Sequence, residues 1–198
     1  MVKPLVLLGA LATSFMVRAQ EAVPYTGAGL LRASAAISPG FLFDGGTTNI
    51  YLGGKLEYFP EDRISFRGDG FWYVNSQQKP APLEANSQVS FGPFLHSMHG
   101  RLDLSAGVQA GVSFVKPANE PIVPMIALER PVTDPLPMRI VPTMALCGSL
   151  SYAVWDYFHF FVDLRLLRSR YEGGPQGTIK LDEAILSAGL GWQFRLHQ

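Results

Sequence analysis

Apolar side chains recur at every second position over most of this chain. From Leu102 to Phe114 every even position is apolar (Leu102, Leu104, Ala106, Val108, Ala110, Val112, Phe114), and every odd one is polar or glycine. A period of two predicts an extended strand with one apolar face. Residues 184–196 repeat it, with Leu186, Ala188, Leu190, Trp192, Phe194 and Leu196 opposite Ser187, Gly189, Gly191, Gln193 and Arg195. Helical spacing is hard to find after Gln20. The same alternation, punctuated by Gly, Pro, Asn and Asp, predicts eight strands near 28–38, 48–59, 63–75, 87–98, 102–114, 139–155, 158–171 and 183–196.

The connections alternate in length. Those after the second, fourth and sixth strands are tight (Pro60-Glu61-Asp62, His99-Gly100-Arg101, Asp156-Tyr157), whereas segments near 39–47, 76–86, 115–138 and 172–182 are longer. Turns therefore gather at one end of the sheet and loops at the other. The loop 115–138 carries Pro117, Pro121, Pro124, Pro131, Pro135 and Pro137, which exclude regular pairing through most of it.

None of the apolar-face positions read on these strands, which run as far as Leu166 on the seventh, is charged. The opposite faces carry Arg32, Lys55, Glu57, Arg67, Asp69, Asp103, Asp163, Arg165 and Arg195 among Gly, Ser and Gln. Alternation alone does not say whether the apolar face looks inward or outward, because a soluble sheet and a lipid-facing sheet share the same period. The polar face decides. A water-facing surface would be dense in Lys, Glu and Thr, whereas Ser105, Gly107, Gln109, Gly111 and Ser113 are small groups suited to a narrow barrel interior. The apolar face is thus expected outside, and the nine charges are expected to form a structural network in the lumen. Tyr58, Tyr152, Phe158, Phe160, Trp192 and Phe194 near the turn ends, with Trp72 and Phe114 toward the loop ends, fit two interfacial girdles. Lipid cannot satisfy the edge N–H and C=O groups, so the first and last strands must pair.

Composition agrees. Charged residues are 16% of 198, below the roughly 25% of an average soluble domain. Lys plus Arg equals Asp plus Glu at 16 each, so no basic excess favours nucleic acid. Cys147 is the single cysteine and there are four histidines, which excludes an internal disulfide and a Cys/His zinc cage. No cofactor and no metal are expected. Residues 1–19 have Lys3 at the start, an apolar stretch from Leu5 to Val17 and the small-residue edge Val17-Arg18-Ala19, the pattern of a secretory signal peptide. The barrel domain is then 20–198. Without Lys3 and Arg18 the exported chain has 14 basic and 16 acidic groups.

From Ala28 to Leu196 the chain resembles the small eight-stranded outer-membrane barrels of the OmpA/OmpX type. Such barrels end in a polar-x-Gly-x-x-aromatic-x-aromatic signal, matched here by Ser187-Ala188-Gly189-Leu190-Gly191-Trp192-Gln193-Phe194. The chain continues with Arg195-Leu196-His197-Gln198, where the typical member stops on the aromatic. The hairpin from Tyr58 to Ser65 is similar to the tight periplasmic turns of the family. The resemblance implies an all-β, eight-stranded antiparallel up-and-down transmembrane barrel in the outer membrane of a Gram-negative cell. It also implies lipid and, through the last strand, the barrel-assembly machinery as partners.

Some barrels similar to this one modify lipid A with His and Ser. Leu95-His96-Ser97-Met98-His99 is the nearest cluster, but His96 and Ser97 are adjacent and point to opposite faces. They are read as interfacial polar residues at a strand end. His159 beside Asp163 and Arg165 is read as part of the buried charge network, and Cys147 as a small filler. The Gly pairs lack a phosphate-loop context. The expected role is structural or adhesive and without catalysis. The apolar stretch Ile122–Leu128 of the loop 115–138 is the expected surface for an extracellular ligand. Two alternatives stand beside it: a lipid A-modifying barrel enzyme, and a soluble exported lipocalin-like barrel with the apolar face turned inward.

Overall fold

A computed structural model describes residues 27–44, 46–77, 83–118, 137–174 and 177–196. The expected signal peptide at 1–19 and the Ile122–Leu128 stretch lie outside the described residues.

The strands are β1 (Leu30–Leu42), β2 (Thr48–Glu61), β3 (Ile64–Ser76), β4 (Leu83–His99), β5 (Leu102–Pro117), β6 (Arg139–Trp155), β7 (Phe158–Gly174), β8 (Gly177–Lys180) and β9 (Glu183–Arg195). No helix occurs among the described residues. Each strand from β1 to β7 pairs antiparallel with the next, β7 pairs with β9, and β9 pairs with β1. Eight strands thus close a barrel in up-and-down order, while β8 folds back only on the upper part of β7.

Following the registers round the ring from Phe41 through Ala184, Leu166, Leu146, Val108, Pro93, Phe66 and Tyr58 returns to β1 at Leu31, a stagger of ten residues, Phe41 against Leu31. Strands so staggered tilt, and eight tilted strands leave an interior that side chains fill.

Burial alternates with the sequence. On β5, Asp103, Ser105, Gln109 and Ser113 are buried, whereas Leu102, Leu104 and Val108 are exposed. The inversion is complete round the ring: Ile37 is 70% exposed, Trp72 71% and Met144 70%, while Arg67 is 3% exposed and Asp69 3%. A continuous apolar belt of this kind does not persist in water. Its solvent is hydrocarbon, and the barrel is of the transmembrane kind. The soluble lipocalin-like alternative, which needs the apolar face inside, is excluded by the same inversion. Tyr58, Tyr152, Trp155, Phe160, Trp192 and Phe194 stand exposed toward the turn ends.

Several boundaries differ from the sequence expectation, β5 running on to Pro117 and β7 to Gly174. β1 runs through Pro39 and Gly40 to Leu42, because the β1–β9 ladder is interrupted between Ala35 and Gly40 and asks no amide hydrogen of Pro39 there. β4 begins at Leu83. The segment 172–182, expected as loop, contains β8, whose Ile179 packs against the apolar cluster at the loop end. The tight β4–β5 turn depends on Gly100 at φ 64°, a conformation that costs a residue with a side chain.

Candidate functional site in the barrel lumen

Because successive side chains leave a strand on opposite faces, each inward position delivers one group to the lumen, and the tilt stacks these groups in layers. Toward the turn end Arg32, Glu57, Ser65, His96 and Asp103 meet. Arg32 Nη1 donates to Asp103 Oδ2 at 2.7 Å and lies 3.9 Å from Glu57 Oε2. His96 Nδ1 is 3.0 Å from Asp103 Oδ1, and its Nε2 is 2.8 Å from Ser65 Oγ.

The middle layer holds Lys55, Arg67, Asp69, Asp163 and Arg165. Lys55 pairs with Asp163. Arg67 Nε lies 3.2 Å from Asp69 Oδ1 and its Nη1 3.9 Å from Asp163 Oδ1, and Arg165 Nη1 lies 3.8 Å from Asp69 Oδ2. Above it Glu183 accepts hydrogen bonds from Asn49 Nδ2 at 2.9 Å, from Tyr51 Oη at 2.8 Å and from Gln88 Nε2 at 3.3 Å. Leu42, Leu83, Val115, Val141, Tyr171 and Leu181 then close the loop end with a buried apolar cluster.

Each of the four inward Arg and Lys side chains of the network also faces an inward phenylalanine ring. Arg32 lies over Phe59 at 5.0 Å, Lys55 over Phe161 at 3.4 Å, Arg67 over Phe94 at 3.8 Å and Arg165 over Phe71 at 5.1 Å. A ring face is attractive to a desolvated cation. These rings also take up volume that water would otherwise fill. A lumen void lined by Ser34, Ser38, Lys55, Phe71, Phe161 and Ser187 has a volume of about 10 Å³, room for roughly one water.

Of the nine charges expected in the lumen, eight are inward and paired across it. Arg195 is exposed at the turn-side end of β9, a correction that follows from its position as the last residue of the final strand, at the rim rather than inside the enclosed lumen. His96 is also corrected, from a strand-end interfacial residue to a buried member of the turn-end layer at 6% exposure. Sequence reasoning missed Glu183, Tyr51 and the four phenylalanines. Their parity with inward polar residues of the same strand was the available signal: Lys55 and Glu57 for Tyr51 and Phe59, Asp69 for Phe71, Asp163 for Phe161, Gln88 for Phe94 and Ser187 for Glu183. Cys147 is inward and buried, with its Sγ 3.4 Å from Gln109 Oε1.

Ser65, His96 and Asp103 have the connectivity of a hydrolase triad, assembled from three strands rather than from His96 and Ser97. The chemistry differs. Ser65 Oγ donates to Glu57 Oε1 at 2.7 Å, so it offers His96 an acceptor rather than the proton a general base would take. Ser65 is 0% exposed. Among the described residues no group of three or more His, Cys, Asp or Glu side chains is placed to hold a metal ion.

No protein-family model matches the sequence, and no curated protein matches it. Solved structures do. The chain is similar to the outer membrane protein OprG from Pseudomonas aeruginosa, at 12% identity over 88% of this chain and 100% of that one, with a TM-score of 0.57. Neisserial surface protein A gives 12% identity, 84% and 96% coverage and 0.54. The outer membrane protein AlkL gives 16% identity, 91% and 96% coverage and 0.50. At these identities the likeness concerns the fold: this chain has the fold of the small eight-stranded outer-membrane barrels.

Proposed function

We propose that this protein is an integral barrel of a Gram-negative outer membrane, exported by its N-terminal segment. Its role is structural or adhesive, carried by the loops and without catalysis. The observation that carries this reading is the occupied lumen. Cross-wall ion pairs fill its middle and an apolar cluster caps its loop end, which supports neither solute flow nor substrate entry. A protein with a solid interior can act on its surroundings only through its outer wall and its rims. The longest connection between neighbouring barrel strands runs between β5 and β6, over residues 118–138, and its Pro-rich sequence with the Ile122–Leu128 stretch is the proposed contact for an extracellular ligand. The last strand, with Trp192 and Phe194 exposed on its outer face, is the proposed handle for the assembly machinery.

Deleting 118–135 while keeping the barrel tests the loop role. Loss of cell attachment to a surface or host matrix is expected, with unchanged barrel mobility on an unheated gel. Unchanged attachment would refute it. A second reading, lipid A hydrolysis, draws on the contact of Ser65, His96 and Asp103. Mass spectra of lipid A from cells with the wild type, the Ser65→Ala variant and no protein should be identical. A change that needs Ser65 would install the enzyme reading instead.

A further inference from the structure

On β7 the outward positions run Phe158, Phe160, Val162, Leu164 and Leu166, then change to Arg168 and Arg170 without any break in the alternation. The change falls toward the loop end of β7, beside Met144 and Ile140 of β6, which stay apolar and exposed, so the arginines stand at the loop-side margin of the apolar wall. Arg168 has a side chain 79% exposed, with Asp182 Oδ2 3.8 Å from its Nε. Arg170 is the register partner of Lys180 on β8, and both are exposed. Like charges directly opposite on one face of a sheet repel, so the hairpin bears a cost unless an anion lies between them. Arg139 extends the group: its Nη1 donates to the Glu172 carbonyl at 2.5 Å and its guanidinium lies 5.5 Å from the Tyr171 ring. Among the described residues Arg139, Arg168, Arg170 and Lys180 therefore stand on one flank of the loop-side rim, beside the acids Glu172 and Asp182.

We propose that Arg168, Arg170 and Lys180 bind the phosphate of anionic lipid headgroups in the leaflet on the loop side of the barrel. The occupant follows from placement and charge. Guanidinium groups at adjacent outward positions reach a phosphate with paired N–H donors, and Lys180 adds a point charge opposite Arg170. An apolar wall continuous with the patch, ending in Leu166, receives the acyl chains of the same molecule. A soluble anion would use the charges and leave that wall unused. The inference rests on the membrane reading of the barrel.

The full chain is folded into nanodiscs of phosphatidylcholine containing either bis-phosphorylated lipid A or the same lipid with its phosphates removed, and retained lipid is counted by native mass spectrometry. The wild type should retain the phosphorylated lipid selectively. R168A/R170A/K180A should lower retention at least about tenfold, while R63A, which removes an exposed charge at the turn end, should leave it unchanged. Inorganic phosphate in the buffer should not displace the lipid. Equal retention of the dephosphorylated lipid, an unaffected triple variant, an equal loss in R63A, or displacement by free phosphate would overturn this inference alone. Failure of the wild type to enter the disc would overturn the membrane reading and this inference together.

Discussion

Arg32 and Asp103 stand on β1 and β5, opposite walls of an eight-stranded ring, and meet at 2.7 Å across the lumen. Arg67 with Asp163, Arg165 with Asp69, and Gln88 with Glu183 also join facing walls. The lumen groups therefore hold the cylinder's cross-section as well as occupying it.

Removing one partner of a buried pair leaves the other desolvated and unpaired, which costs about 3–5 kcal/mol. Asp103→Ala should show that loss in urea unfolding from phosphatidylcholine vesicles, because it strands both Arg32 and His96. Arg32→Met with Asp103→Leu should recover most of it. A loss below about 1 kcal/mol in the single variant would mean that water reaches the pair and screens it.

Arg67 lies between acids and the Phe94 ring, at 3.8 Å from the centroid. A double-mutant cycle of Phe94→Leu and Arg67→Met should give a coupling of about 1–2 kcal/mol. Zero coupling would reduce the ring to filler.

Close strand approach is sensitive at particular glycines. A Cβ on Gly92 would run into the Val108 carbonyl oxygen on β5, backbone that has nowhere to move, whereas a Cβ on Gly70 would meet nothing within 4 Å. Gly92→Ala should destabilise by about 1–3 kcal/mol, and Gly70→Ala should be neutral or slightly stabilising. Refolding yield and urea midpoints measure both; equal effects would contradict the register of β4 and β5.

Leu146 is outward and 57% exposed. In a bilayer Leu146→Arg should cost about 2–4 kcal/mol. In water the same substitution at an exposed site should change stability by no more than about 0.5 kcal/mol.

Much of this was legible beforehand, since parity alone divides inward from outward residues: Arg32, Lys55, Glu57, Arg67, Asp69, Asp103, Asp163 and Arg165 all fall on the lumen side. Parity does not say which inward residues meet. Arg32 and Asp103 are 71 positions apart, and their contact depends on a ten-residue stagger that no local pattern carries. The place of His96 is not legible from its in-chain neighbours, because its partner Ser65 arrives from the adjacent strand. Strand β1 continues through Pro39 and Gly40, past its expected end at 38, because the β1–β9 ladder asks no amide hydrogen of Pro39 there. The outward Arg168 and Arg170 were passed over because the alternation of β7 continues through them.

The claim beneath all of this is that the apolar wall touches hydrocarbon. A nitroxide attached to single cysteines at Leu104, Leu146 and Leu150, in a Cys147→Ser background and in lipid bilayers, reports it directly through collision with oxygen and with a water-soluble nickel chelate. Oxygen should dominate at all three positions, and the chelate should dominate at Asp156 in the β6–β7 turn. Chelate access at Leu146 equal to that at Asp156 would contradict a lipid-facing barrel.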